Sequence, residues 1–156
     1  MKILKFLTKK FWMITMKLIK LIPILLFLTS CHDKVGVEVS DAWVRASAPG
    51  QSVGAAYMTL TSAQDSTLVF IETPVADSAE IHSMSMDNGV MKMRMLDELP
   101  LKANTPEKLS PGGFHLMLMD LQKPLKVGET VNVRLCFKDK TGKITDKNVI
   151  LPVKEN

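Results

Sequence analysis

Cysteine is scarce in this chain: only Cys31 and Cys136 occur among 156 residues. If Cys31 is modified, Cys136 is the single remaining thiol and no intramolecular disulfide can form, so the domain must rely on its hydrophobic core. A sustained helical period is missing too, as are internal repeats and low-complexity segments. Neither a nucleophile–base constellation nor a paired-carboxylate site can be placed on the sequence, and the chain is therefore not expected to be an enzyme.

Acidic residues are absent from positions 1–31, which hold six lysines followed by the apolar run Leu21 to Leu28. That layout is an export signal, and the run is too short for a membrane span. Residues 1–31 are accordingly assigned as a lipoprotein-type signal peptide, beginning at Met1 or at Met16. The signal ends in Leu28, Thr29, Ser30 and Cys31, which resembles a lipobox, in which the cysteine becomes the lipidated first residue. The basic charge belongs to this segment: residues 32–156 carry 14 basic and 16 acidic residues, a net −2. No electrostatic footprint for nucleic acid remains, and the expected membrane contact is the lipid at Cys31 alone. Localisation on the periplasmic side of the cell envelope follows. Residues 32–35 form a tether of about 15 Å at most, at about 3.3–3.6 Å per extended residue.

What is present in residues 36–154 is β structure. Strands are expected at about 36–45, 53–62, 67–73, 80–86, 90–97, 113–119, 130–138 and 144–153, between turn signals such as "APGQ", "DNG", "SPGG" and "KTGK". The irregular stretch 98–112 has room for one more short strand near Lys108. About eight short strands, rich in β-branched and aromatic residues, predict an all-β domain, an antiparallel sandwich or barrel.

Seven of the eleven methionines lie between residues 84 and 119. Asn88-Gly89 is a strong hairpin signal, because both residues tolerate the positive φ of a type I′ turn. A two-residue turn there sets Met86 opposite Met91, Met84 opposite Met93 and His82 opposite Met95, all on one face. Ser83, Ser85, Lys92 and Arg94 take the other. In "GGFHLMLMDL", the alternation of His115, Met117 and Met119 with leucines offers a similar face. Ordinary patterning reads the methionines as core filler, but the hairpin's methionine face has no Val, Ile, Leu or Phe. Thioethers are soft neutral donors that select Cu(I), and two His plus two Met, with no carboxylate or thiolate in register, suit that ion. Zinc and blue-copper sites ordinarily draw on Cys or carboxylate as well. Cys136 alternates with Arg134 and Asn132 in a later strand and reads as a structural thiol.

His82, Met93, His115 and Met117 are spaced as H-x10-M-x21-H-x-M. This pattern resembles the signature of the periplasmic copper chaperone PCu(A)C family, H(M)-x10-M-x21-H-x-M. The segments "DAWVRASAPGQSVGAAYMTLTS", "NGVMKMR" and "PGGFHLMLMDLQKPLKVGETV" are similar to that family as well, and the resemblance covers residues 36–153. It implies a cupredoxin-like, Greek-key β-barrel that is a monomer and holds one Cu(I), with His82, Met93, His115 and Met117 as ligands and Met84 as an auxiliary position. It also implies delivery of copper to the binuclear centre of cytochrome c oxidase, through its copper subunit or a Sco-type thioredoxin-like partner. The lipobox is a departure, since many relatives resemble soluble periplasmic proteins. Two alternatives stand beside this reading: a copper-buffering lipoprotein without a dedicated acceptor, and a metal-free β-sandwich with a Met-rich core.

Overall fold

The computed structural model describes residues 36–155. The signal peptide, the tether and Cys31 lie outside the described residues. Ten strands follow one another in the chain: β1 (Val37–Arg45), β2 (Gly54–Ser62), β3 (Ser66–Glu72), β4 (Ala76–Asp87) and β5 (Val90–Leu96) come first. They are followed by β6 (Leu99–Leu101), β7 (Glu107–Leu109), β8 (Phe114–Leu121), β9 (Thr130–Asp139) and β10 (Ile144–Lys154). No helix occurs among the described residues.

All eight expected strands are present, and two more appear. β7 contains Lys108, where the irregular stretch left room for a strand. β6 was not anticipated, since three residues around a proline are too few to show alternation. Pro100 is tolerated because β6 is an edge strand, pairing with β3 alone (Pro100 opposite Thr67).

The strands form one continuous ladder in the order β5-β4-β8-β7-β2-β1-β10-β9-β3-β6. Its pairings are antiparallel except for β1 with β10 and β7 with β8, which are parallel. The β1–β10 junction, Val44 opposite Val153, joins the two halves. Both halves send alternate residues into a common core. Val44, Leu60, Ile81, Leu116 and Leu118 come from the first half, and Leu68, Leu135, Phe137, Leu151 and Val153 from the second. Each such side chain contributes about 1.5–3 kcal/mol through removal from water, which is how the domain holds together without a disulfide. The core residues from β2, β8 and β9 follow the period-2 pattern of a half-buried strand.

Cys136 is buried on the face shared with Arg134. Burial, followed by the neighbouring Asp146, pushes its thiol pKa up. A thiol held protonated is a poor nucleophile and a poor metal ligand, which suits the structural role read from its position.

Candidate metal centre

The site is built on the side of the first half-sheet that faces away from the core. In β8, Leu116 and Leu118 are 0% exposed and define the core side, so His115, Met117 and Met119 project from the opposite side. His115 is itself only 3% exposed. Neighbouring strands cover it: the ring centroid of His82 lies 5.9 Å away on one side and that of Tyr57 6.4 Å away on the other.

The β4–β5 hairpin has the register set by its turn residues. Asn88 and Gly89 have φ of 49° and 78°, the left-handed pair a type I′ turn requires. Met86 faces Met91, Met84 faces Met93 and His82 faces Met95. On the other side of β4, His82 stands opposite His115 and Glu80 opposite Met117. Met95, His82 and His115 thus form one row across three strands. Met84 and Met93 lie in the row beyond it, and Glu80 and Met117 in the row before it.

These methionines are not core. Met86, Met91, Met93 and Met95 are 66%, 59%, 47% and 59% exposed, which overturns the reading of the hairpin as a Met-rich core. The reason is position: β5 is the outermost strand and is exposed on both faces from Val90 to Met95. Neither the methionine side nor the Ser/Lys/Arg side is covered there. Large apolar side chains left in water at this density mark an interaction site.

A cavity of about 330 Å³ opens between the hairpin, β8 and the start of β2. Met84, Met93, His115 and Met117 line it together with Arg45 and Tyr57. Three of the four predicted ligands therefore meet in one space, with the auxiliary Met84. His82 flanks that space through its ring contact with His115 and is not among the lining residues. Met91, to which the sequence assigned no role, also lines the cavity, whereas Met119 does not. Arg45 lies over the Tyr57 ring at 5.4 Å, and Trp43 packs on the same ring at 4.7 Å. Burial raises the Tyr57 phenol pKa, and the Arg45 charge opposes that shift.

The hydrogen bonds around the two imidazoles differ. His115 Nδ1 lies 3.1 Å from the Gly113 carbonyl oxygen. A carbonyl only accepts, so Nδ1 carries the proton and Nε2 keeps its lone pair. His82 Nε2 lies 2.7 Å from Glu80 Oε2, while its Nδ1 is buried and has no hydrogen-bond partner. A buried, unpartnered ring nitrogen is a costly feature that a metal ion would satisfy. The expectation that no carboxylate shares this register is corrected: Glu80, two residues before His82, is on the same face. Among the described residues no three His, Cys, Asp or Glu side chains come together as a metal cluster. The cavity is lined by an imidazole and several thioethers, a combination that suits a soft monovalent ion better than zinc.

An all-β, cupredoxin-like domain with a soft-donor cavity on its outer sheet face is the class defined by this fold and site. Comparison with known proteins gives the family. The chain belongs to the LpqE-like family, described as "Putative lipoprotein LpqE-like", whose model matches residues 37–149. A relative from Leifsonia xyli subsp. xyli, "Putative lipoprotein Lxx21020", is 31% identical over 121 residues, covering 77% of this chain and 70% of the relative. Among solved structures, that of CuI-DR1885 from Deinococcus radiodurans is 38% identical, with a TM-score of 0.58 over 76% of this chain and 77% of that one. The copper-bound PCuAC domain from PmoF2 is 21% identical, with a TM-score of 0.62 over 79% of this chain and 97% of that domain, a likeness of fold.

Proposed function

We propose that this protein is a Cu(I) carrier of the cell envelope, which holds one ion with His82, Met93, His115 and Met117 and releases it by ligand exchange. The observation that carries this reading is the convergence of Met93, His115 and Met117 on one cavity, with the His82 ring 5.9 Å from that of His115. The 38% identical copper(I) form of DR1885 supports the choice of ion.

The chemistry required is modest. Neutral thioethers hold Cu(I) without the strong electrostatic grip of thiolates or carboxylates, so an acceptor rich in thiolates can take the ion. The exposed methionines of β5 leave the cavity mouth open to such an acceptor. We assign that acceptor as the copper subunit of cytochrome c oxidase, or a Sco-type thioredoxin-like protein that serves it. Met84 stands beside Met93 as an auxiliary donor during exchange.

Titration of the purified protein against a Cu(I) chelator should show one equivalent bound, with little competition from Zn(II). Failure to compete with the chelator, or preference for zinc, would overturn the copper reading.

The family description as a lipoprotein supports an exported, lipid-anchored state. With Cys31 as the lipidated residue, Cys31→Ser should shift the protein from the membrane fraction to the soluble one. A wild-type protein already in the soluble fraction would remove the anchor from the proposal.

A further inference from the structure

The hydrogen bond between His82 and Glu80 has no place in the four-ligand set, yet it settles which nitrogen of His82 is available. Glu80 and His82 are two residues apart on β4, so their side chains leave the same face of the strand. The carboxylate accepts a hydrogen bond from Nε2 at 2.7 Å. The Glu80 side chain is 32% exposed and that of His82 14%, so the pair sits at the rim of the site and not in bulk solvent. With Nε2–H held, the remaining lone pair of a neutral ring is on Nδ1, the buried atom that lacks a partner. At His115 the arrangement is reversed: Nδ1–H is held by the Gly113 carbonyl and Nε2 is left free.

We infer that Glu80 is a positioning residue for the metal, fixing His82 so that it meets Cu(I) through Nδ1, whereas His115 meets it through Nε2. Two imidazoles facing each other across adjacent strands then present different nitrogens, each set by the bond its other nitrogen makes. A carboxylate on the far side of a ligating imidazole fixes the tautomer and raises the ring's basicity. It also removes the entropy cost of ordering the ring when the ion arrives. No thioether offers such a handle, so in this donor set orientation can be tuned only at the histidines. The inference rests on the copper reading above, and its test separates the two.

Long-range ¹H–¹⁵N spectra of the metal-free protein should show His82 as the Nε2–H tautomer and His115 as the Nδ1–H tautomer. Addition of Cu(I) should then move the ¹⁵N resonances of His82 Nδ1 and His115 Nε2. Glu80→Ala should leave His82 in a mixture of tautomers without touching His115, and should lower the Cu(I) affinity by about 10–100-fold, the usual scale for outer-shell partners. Glu80→Gln keeps a carbonyl acceptor and should recover much of that loss. Copper binding by the wild type together with a shift at His82 Nε2, or tighter binding by Glu80→Ala, would show instead that Glu80 caps the ligating nitrogen, and would overturn the inference while leaving the copper reading intact. A wild-type protein that binds no Cu(I) would sink both. An unchanged His82 tautomer in Glu80→Ala would overturn the positioning role even if copper binds.

Discussion

The double replacement Met93→Leu, Met117→Leu is expected to lower Cu(I) affinity by about a hundredfold or more, roughly 2.8 kcal/mol at about 1.4 kcal/mol per decade. Leucine nearly matches methionine in volume, and such swaps usually cost less than about 1.5 kcal/mol of stability. Met93 is half exposed and Met117 partly buried, so the fold has little to lose. What is removed is the soft donor. Met119→Leu is the control on the same strand face, because Met119 lies outside the cavity lining. Thermal unfolding with and without Cu(I) gives a second readout. An ion bound only by the folded state stabilises it by about 4 kcal/mol when free ligand is a thousand times its dissociation constant, and at the same free ligand a hundredfold weaker double variant should lose about two thirds of that gain. Wild-type affinity in the double variant would point to Met84 and Met91, which line the same cavity, as the true donors.

The copper face shows where sequence reasoning succeeds and where it stops. Asn88-Gly89 fixed the hairpin register, because only a few residues adopt two successive positive φ angles, and every cross-strand pair followed from that one turn. The alternation in β8 likewise separated leucines from His115 and Met117 without ambiguity. Which side of the hairpin would be buried was not legible. Patterning tells the two faces of a strand apart, but it does not say whether a second layer reaches that part of the sheet, and over β5 none does. The third wall of the site was also hidden. Arg45 and Tyr57 arrive from β1 and β2 through pairings set by the whole ladder, with nothing in their local sequence to mark them. Glu80 had a visible signal, a carboxylate two residues before a histidine in one strand. β6 escaped for a simpler reason, since three residues around a proline cannot display a period.

Leu116→Ala should produce the largest loss of stability on the same strand, with the opposite functional signature. Leu116 sits between His115 and Met117, is fully buried, and stands opposite Ile81 of β4 and Ala56 of β2. Truncating it removes the transfer energy of three carbons and leaves a hole, because the β-strands on either side are tied by hydrogen bonds and cannot collapse inward. Large-to-small changes of this kind cost about 2–5 kcal/mol, a sizeable share of the roughly 5–15 kcal/mol that stabilises a typical domain. The unfolding midpoint of the metal-free protein should fall by about 10 °C or more. Copper bound per folded molecule should stay near one, since the side chain points away from the cavity. Paired with the methionine double variant, the result separates the two faces of β8: one change removes the ion and leaves the fold, the other weakens the fold and leaves the ion. A Leu116→Ala protein that unfolds at the wild-type midpoint would mean that this side of β8 is not the core. One that is stable but free of copper would mean that the strand's two faces are not independent.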